Sequence, residues 1–114
     1  MTTKNRTSPL LLLTRESLLL QVVFEREGSF TRWTATLHLL PDRRQRDAGL
    51  QTGPTIATAW SEHPPTFLIG GSDDKPEDTA VFVGKAMFSM PENQAQALRS
   101  YIIQQTAAPA EAWK

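Results

Sequence analysis

Residues 18–40, LLLQVVFEREGSFTRWTATLHLL, decide the fold, because they predict a β-hairpin whose register follows from the sequence. Gly28-Ser29 suits a two-residue type II′ turn. If Glu27 then faces Phe30, one set of opposite positions is entirely apolar. Those pairs are Phe24–Trp33, Val22–Ala35, Leu20–Leu37 and Leu18–Leu39. Because side chains alternate along a strand, all eight share one face, which predicts a sheet that is buried on that side.

The other face of the hairpin is more polar. In the same register Glu25 lies opposite Arg32, an opposite-charge pair of the kind that stabilises antiparallel strands. The same face pairs Val23 with Thr34, Gln21 with Thr36 and Leu19 with His38. We therefore expect His38 on the outer face, either in solvent or at an interface.

The remaining segments predict further short strands. The polar residues 1–8 are expected to form a disordered tail. Leucines 10–13 predict a short strand that turns at residues 14–17, although Ser8-Pro9 could also begin a helix, so strand and helix both stay open for residues 10–17. Residues 41–54 and 71–78 are rich in turn-forming and charged residues and predict loops. Residues 55–61, 66–70 and 79–90 predict strands, the last with a weak centre at Gly84.

The C-terminal part predicts a helix over about residues 90–106, followed by a tail over 107–114. Ser89 and Glu92 have the capping-box spacing, and Pro91 suits a first helical turn. One helical face carries Ala95, Leu98, Tyr101 and Ile102.

The predicted fold is α+β. A mostly antiparallel sheet of five or six strands, with the hairpin 18–40 at its centre, is packed by one C-terminal helix in a single domain over residues 9–106. We expect that helix to cross a shallow trough on strand 79–90, formed by Phe82, Gly84, Ala86 and Phe88. Because one helix cannot cover both faces of such a sheet, the second face must be polar, folded into a partial barrel or buried by a second copy of the chain. We expect a homodimer.

Composition argues against several classes of function. The 114 residues include no cysteine, two histidines, and 12 basic and 12 acidic residues, for a net charge of zero. There is no thiol nucleophile, no cysteine metal site and no G-x-S-x-G sequence. The acidic residues 73–78 have Lys75-Pro76 where a calcium loop needs glycine. We therefore expect no enzyme activity, no cofactor and no metal.

The leucine runs do not predict a membrane segment. Arg15 and Glu16 separate Leu10–Leu13 from Leu18–Leu20, and a charged pair inside a span would be costly. No small-residue cleavage site follows them. We expect a soluble, cytoplasmic protein without membrane contact.

The candidate binding residues are mostly basic or aromatic. Arg43, Arg44 and Arg46 form a cluster in the predicted loop, which could hold phosphate or an acidic partner. The full set of candidate partner or nucleic-acid contacts is Arg32, Arg43, Arg44, Arg46, Lys85, Trp60 and His38.

Residues 84–102, GKAMFSMPENQAQALRSYI, resemble the strand-to-helix segment of the Whirly and positive cofactor four group of transcriptional coactivators. The matching positions are Lys85, Pro91, Glu92, Gln96 and Leu98. The resemblance implies a dimeric ββββα binder of single-stranded nucleic acid, with the nucleic acid lying across the strands near Arg32 and Lys85.

Two functions follow from these observations. The first is a non-enzymatic interaction module of the inhibitor, immunity or accessory type, which binds a protein partner through a sheet face or edge. The alternative is a single-stranded nucleic-acid-binding protein that uses the basic loop and the sheet face. The neutral charge ranks the first ahead, because it supplies no general attraction for phosphates.

Overall fold

The computed structural model describes residues 4–6, 8–69 and 78–106. Within these ranges it has eight strands and two helices. They are β1 (Lys4–Arg6), β2 (Leu10–Leu13), β3 (Leu19–Glu27), β4 (Phe30–His38), α1 (Arg43–Asp47), β5 (Thr55–Ser61), β6 (Thr66–Ile69), β7 (Asp78–Val83), β8 (Ala86–Pro91) and α2 (Glu92–Thr106). The predicted α+β class is confirmed, with antiparallel strands and a C-terminal helix.

The strands form two sheets, where one sheet of five or six strands was expected. The first sheet has the order β1-β3-β4-β5, and β2 also pairs with β3. The second has the order β6-β7-β8. The inner faces of both sheets pack with α2 around one core, so a second sheet provides much of the cover that one helix could not. Neither helix in the described ranges has the length and apolarity to cross a membrane.

The hairpin of β3 and β4 has the predicted register. Phe24 lies opposite Trp33, Glu27 opposite Phe30, and the pairing continues to Leu19 opposite His38. Gly28 has a φ of 60°, as the first central residue of a type II′ turn requires. The prediction is wrong only at the end far from the turn, where Leu18 was expected opposite Leu39. Leu39 is 46% exposed, because its N–H and C=O bond to the backbone of residues 53 and 54 and take it out of the sheet.

The strand prediction for leucines 10–13 is confirmed, since β2 pairs with β3 and places Leu12 opposite Leu20 in the core. The disordered tail expected over residues 1–8 is wrong for Lys4–Arg6, which pair with the other end of the same β3 edge. Residues 1–3, 7 and the predicted tail at 107–114 lie outside the described residues.

The long strand predicted over residues 79–90 is instead the hairpin of β7 and β8. Gly84 has a φ of 59° and begins a two-residue turn, so Val83 pairs with Ala86 and Val81 with Phe88. The expected trough is therefore wrong, because Phe82 lies opposite Met87 on the other face of this hairpin. Gly84-Lys85 is a second Gly-X turn of the kind found at Gly28-Ser29.

The helix α2 begins at Glu92, and Ser89 does not cap it. Ser89 belongs to β8 and pairs with Ala80, which removes it from the helix start. The Glu92 carboxylate accepts hydrogen bonds from Arg99 and from the Thr79 hydroxyl. These bonds, Arg99 first, hold the pKa of Glu92 below its ordinary value. The predicted buried face is confirmed, with Ala95, Leu98 and Tyr101 buried and Ile102 partly buried.

Trp33 occupies the centre of the core. Its ring lies 4.5 Å from that of Phe24 and 6.4 Å from that of Tyr101, the latter edge-on. The other buried apolar residues of the core are Leu12, Leu20, Val22, Ala35, Val81, Val83, Phe88, Met90, Ala95 and Leu98.

Asp78 was expected in a solvated acidic loop, but it is the first residue of β7 and only 2% exposed. Its carboxylate accepts two hydrogen bonds of 2.7 Å from the Arg15 guanidinium. This ion pair joins the β2–β3 turn to the second sheet. The rest of the predicted loop, residues 71–77, lies outside the described residues, as does residue 70, the last of the strand predicted over 66–70.

Candidate functional site

Two of the predicted binding residues, Arg32 and Trp60, are in contact on the outer face of the first sheet. The Arg32 guanidinium carbon lies 4.8 Å from the centre of the Trp60 ring and 5.5 Å from that of Phe30. Trp60 pairs with Thr34 and is therefore diagonal to Arg32, within reach of a long side chain. Both rings are about half exposed, Phe30 at 44% and Trp60 at 53%.

The expected Glu25–Arg32 ion pair is not formed, although the two residues lie opposite each other as predicted. In the described part of the chain Arg32 makes no salt bridge, and its Nε atom is buried without a hydrogen-bond partner. The guanidinium lies against the two aromatic rings instead.

Lys85 lies beside Trp60. This exposed lysine occupies the β7–β8 turn and shares with Trp60 an open depression of about 590 Å³. That depression is lined by Thr58, Ala59, Trp60, Gly84, Lys85 and Ala86. The fold therefore brings Arg32, Trp60 and Lys85 to one end of β5.

His38 lies elsewhere and is buried, so the prediction of a solvated or interface histidine is wrong. It is 8% exposed, because residues 53–55 fold over it. Its Nδ1 atom lies 3.2 Å from the Gly53 carbonyl, to which it donates, and 3.3 Å from the Thr55 hydroxyl. Along β4 it is four residues from Thr34, or roughly 14 Å from the Arg32–Trp60 contact region.

The three clustered arginines occupy the short helix α1, within the segment predicted as a loop without regular structure. Asp42 caps it, and the Asp42 and Gln45 side chains bond each other's backbone N–H in a capping box. The D-x-x-Q spacing was the signal for this helix. Arg43, Arg44 and Arg46 are exposed. Among the described contacts, none joins them to Arg32 or Trp60.

An apolar cleft between the two sheets was not predicted. Its walls are the edge strands β5 and β8, and it encloses about 480 Å³, within the usual range for ligand pockets. The lining residues are Thr14, Glu16, Leu18, Leu37, Ala57, Thr58, Ala59, Ala86, Met87, Phe88 and Ser89.

The cleft is shaped like a wedge. At its narrow end the Gly84 backbone lies against the Trp60 carbonyl, so closely that an added Cβ would be 2.6 Å from that oxygen. At the other end, beside Ser89, the cleft is lined by Thr14, Glu16 and Leu18 of the β2–β3 turn. Three alanines, 57, 59 and 86, leave room between the sheets where larger residues would fill the core. The small residues alternating in TIATAWS were the only sequence signal for this space.

The free edge of β5 presents the backbone of Thr58. In a two-residue hairpin the residues that flank the turn, here Glu27 and Phe30, form a hydrogen-bonded pair, and such pairs alternate along the ladder. Along β4, every second residue from Phe30 therefore bonds to β3, and the residues between them bond to β5. Ala35 is one of these and pairs with Ala59. The N–H and C=O of Thr58 therefore point away from β4 and into the cleft.

The same alternation along β8 places the outward-facing backbone of Met87 on the opposite wall of the cleft. Val83 and Ala86 flank the Gly84-Lys85 turn, so Met87 and Ser89 direct their backbone groups away from β7. A hydrogen bond of 3.0 Å from the Arg15 N–H to the Ser89 carbonyl agrees with this direction. Within the described residues β5 pairs only with β4, and β8 only with β7.

The arrangement suits binding by shape and backbone hydrogen bonds. The described residues contain no group of three or more side chains that could hold a metal ion. Comparison of the chain with protein-family models, curated proteins and solved structures finds no match. The likeness to the Whirly and positive cofactor four group stays a prediction.

Proposed function

We propose that this protein is a non-enzymatic interaction module that binds an extended segment of a partner protein in the cleft between β5 and β8. The observation that carries the proposal is a pair of strand edges, on β5 and β8, that face one apolar space and that no other described strand covers. Exposed edges are sites where another chain can add a strand, and proteins usually protect them with charge, proline or a covering element. On β5 the outward-facing backbone of Thr58 is flanked instead by the side chains of Ile56 and Trp60, each about half exposed.

The bound segment would pair with Thr58 on one side and with Met87 on the other. Main-chain hydrogen bonds supply affinity in strand addition, and pockets for alternate side chains supply specificity. The alanine walls admit small or aliphatic side chains at every second position of the segment. The intervening side chains face solvent and are free to be polar.

This proposal ranks ahead of single-stranded nucleic-acid binding for a structural reason. The nucleic-acid alternative expects Arg43, Arg44 and Arg46 to act with Arg32 and Lys85 on one phosphate-binding surface. The described contacts join only Arg32, Trp60 and Lys85 at one end of β5, and the chain has no net charge to strengthen phosphate binding.

The test uses the whole protein and a phage-displayed library of random linear 12-residue peptides. We expect enriched peptides with small or aliphatic residues at alternate positions. Thr58→Pro should abolish their binding, because it removes the N–H that points into the cleft. The β-ladder should survive, since proline is tolerated where a strand's N–H faces outward.

The matched control is Ile69→Pro on the free edge of β6. By the same alternation Thr79 bonds to β8, so its partner Ile69 directs its N–H away from β7. The Ile69 side chain is 70% exposed. This variant should bind the selected peptides like the wild type. Circular dichroism checks that both proline variants remain folded.

Three results would contradict the proposal. One is the absence of any enriched peptide. Another is equal peptide binding by the Thr58→Pro variant. The third is a dimer in sedimentation analysis that Thr58→Pro converts to monomer, which would show that a second copy occupies the edge. Salt-sensitive binding of labelled oligo(dT) without peptide binding would favour the nucleic-acid alternative.

A further inference from the structure

Arg32 has the features of a pre-positioned anion-binding group. Its guanidinium lies near two aromatic rings, and within the described chain it has no acidic partner. Contact with ring faces favours the planar cation and restricts its rotamers before any ligand binds. A guanidinium held in this way can give two parallel hydrogen bonds to one carboxylate.

The charges around Arg32 differ on its two sides. β3 and β5 flank β4 on opposite sides, so Glu25 and Glu27 lie towards β3. Lys85 lies on the β5 side, where it shares the open depression with Trp60. An anion approaching from β5 therefore meets two cations, whereas on the β3 side Glu25 and Glu27 pair with Arg6 and Lys4 of β1.

The depression beside Lys85 continues the cleft. Thr58, Ala59 and Ala86 line both spaces. A segment paired with Thr58 can therefore continue from the cleft into this depression, beside Trp60 and Lys85.

We propose that Arg32, assisted by Lys85, binds an aspartate or glutamate side chain of the partner segment at the point where that segment leaves the cleft over Trp60. This inference rests on the proposed function and adds the chemistry of the partner. Glu16, which lines the end of the cleft away from Lys85, gives that end the opposite preference, for a basic residue. The two ends of the cleft thereby fix the direction in which a charged segment lies.

The test pans the same 12-residue library on the wild type, Arg32→Gln, Arg43→Gln and Glu16→Gln. On the wild type we expect acidic residues enriched at one end of the alternating apolar pattern. Arg32→Gln should lose that preference and retain the apolar pattern. Arg43→Gln, which changes an exposed arginine of α1, and Glu16→Gln, which changes the opposite end, should retain it.

A double-mutant cycle then measures the contact with one selected peptide. Replacing its acidic residue by the corresponding amide should weaken binding to the wild type roughly tenfold or more, as expected for a charge-assisted pair. The same replacement should change binding to Arg32→Gln less than about twofold. Binding of the acidic peptide to the wild type should also weaken with added salt.

The outcomes separate this inference from the proposed function. An unchanged acidic preference on Arg32→Gln, or additive effects in the cycle, would overturn the role of Arg32 while peptide binding stands. Failure to enrich any peptide on any variant would overturn the proposed function and this inference with it.

Discussion

Replacement of Trp33 by alanine tests the hairpin register and the core built on it. Trp33 is 1% exposed and packs between Phe24 and Tyr101. A buried indole removes roughly 200 Å² from water, which at about 25 cal/mol per Å² corresponds to roughly 5 kcal/mol. Alanine retains part of this burial, and partial collapse of the cavity reduces the loss further. We expect the free energy of unfolding to fall by about 3–5 kcal/mol.

The control is Thr34→Ala, one residue away and on the outer face. Thr34 is only partly buried, and its substitution should cost less than about 1 kcal/mol. Urea unfolding followed by far-UV circular dichroism suits both variants, because tryptophan fluorescence would lose one of its three sources in Trp33→Ala.

A loss of 3–5 kcal/mol is a large part of the 5–15 kcal/mol that stabilises a typical domain, so a partly unfolded Trp33→Ala sample also agrees with the reasoning. Equal effects of Trp33→Ala and Thr34→Ala would refute it. They would mean that the two residues do not lie on opposite faces and that the core is assigned to the wrong side of the sheet.

Three further predictions concern contacts of the second sheet with the first sheet and with α2. Gly84→Ala should destabilise the protein more than Gly49→Ala. Both glycines have positive φ, but only at Gly84 would the added Cβ meet a carbonyl of β5. Equal melting temperatures of the two variants would contradict this contact. Arg15→Ala should cost roughly 2–4 kcal/mol in urea unfolding, because it leaves the Asp78 carboxylate buried without its partner, and adding Asp78→Asn should recover part of that loss. Glu92→Gln should lower the free energy of unfolding at pH 7. Since the pKa of Glu92 in the folded protein is depressed, the difference in stability from the wild type should disappear as the pH falls below about 4.5. A difference that persists at pH 2 would contradict the stabilising role of the Glu92 carboxylate.

Local patterns predicted much of the first sheet. The Gly28-Ser29 turn and the apolar pairs beside it specify one register, because a shift by one residue would move every apolar side chain to the solvent face. The same Gly-X signal at Gly84-Lys85 was not used, and the pairing of Val81 with Phe88 was therefore missed. At Ser89 the capping-box spacing misled, because pairing with Ala80 took the residue into a strand.

The fold brings together only part of the predicted set of candidate binding residues. Arg32, Trp60 and Lys85 were chosen for their chemistry, and the fold brings them to one end of β5. The buried position of His38 depends on residues 53–55, which are too far along the chain for strand alternation to anticipate.

The sequence by itself determined the β3–β4 hairpin, the buried face of α2 and the absence of cysteine chemistry, because each depends on residue type or on spacing within one or two adjacent elements. For residues 10–17 it left strand and helix both open. The tertiary structure decided the division into two sheets, the Arg15–Asp78 pair and the cleft between β5 and β8. Those features join residues far apart in the chain, such as Thr58 and Gly84, which are 26 positions apart, and Arg15 and Asp78, which are 63 apart. They depend on how two separately formed hairpins pack, and no local periodicity encodes that orientation.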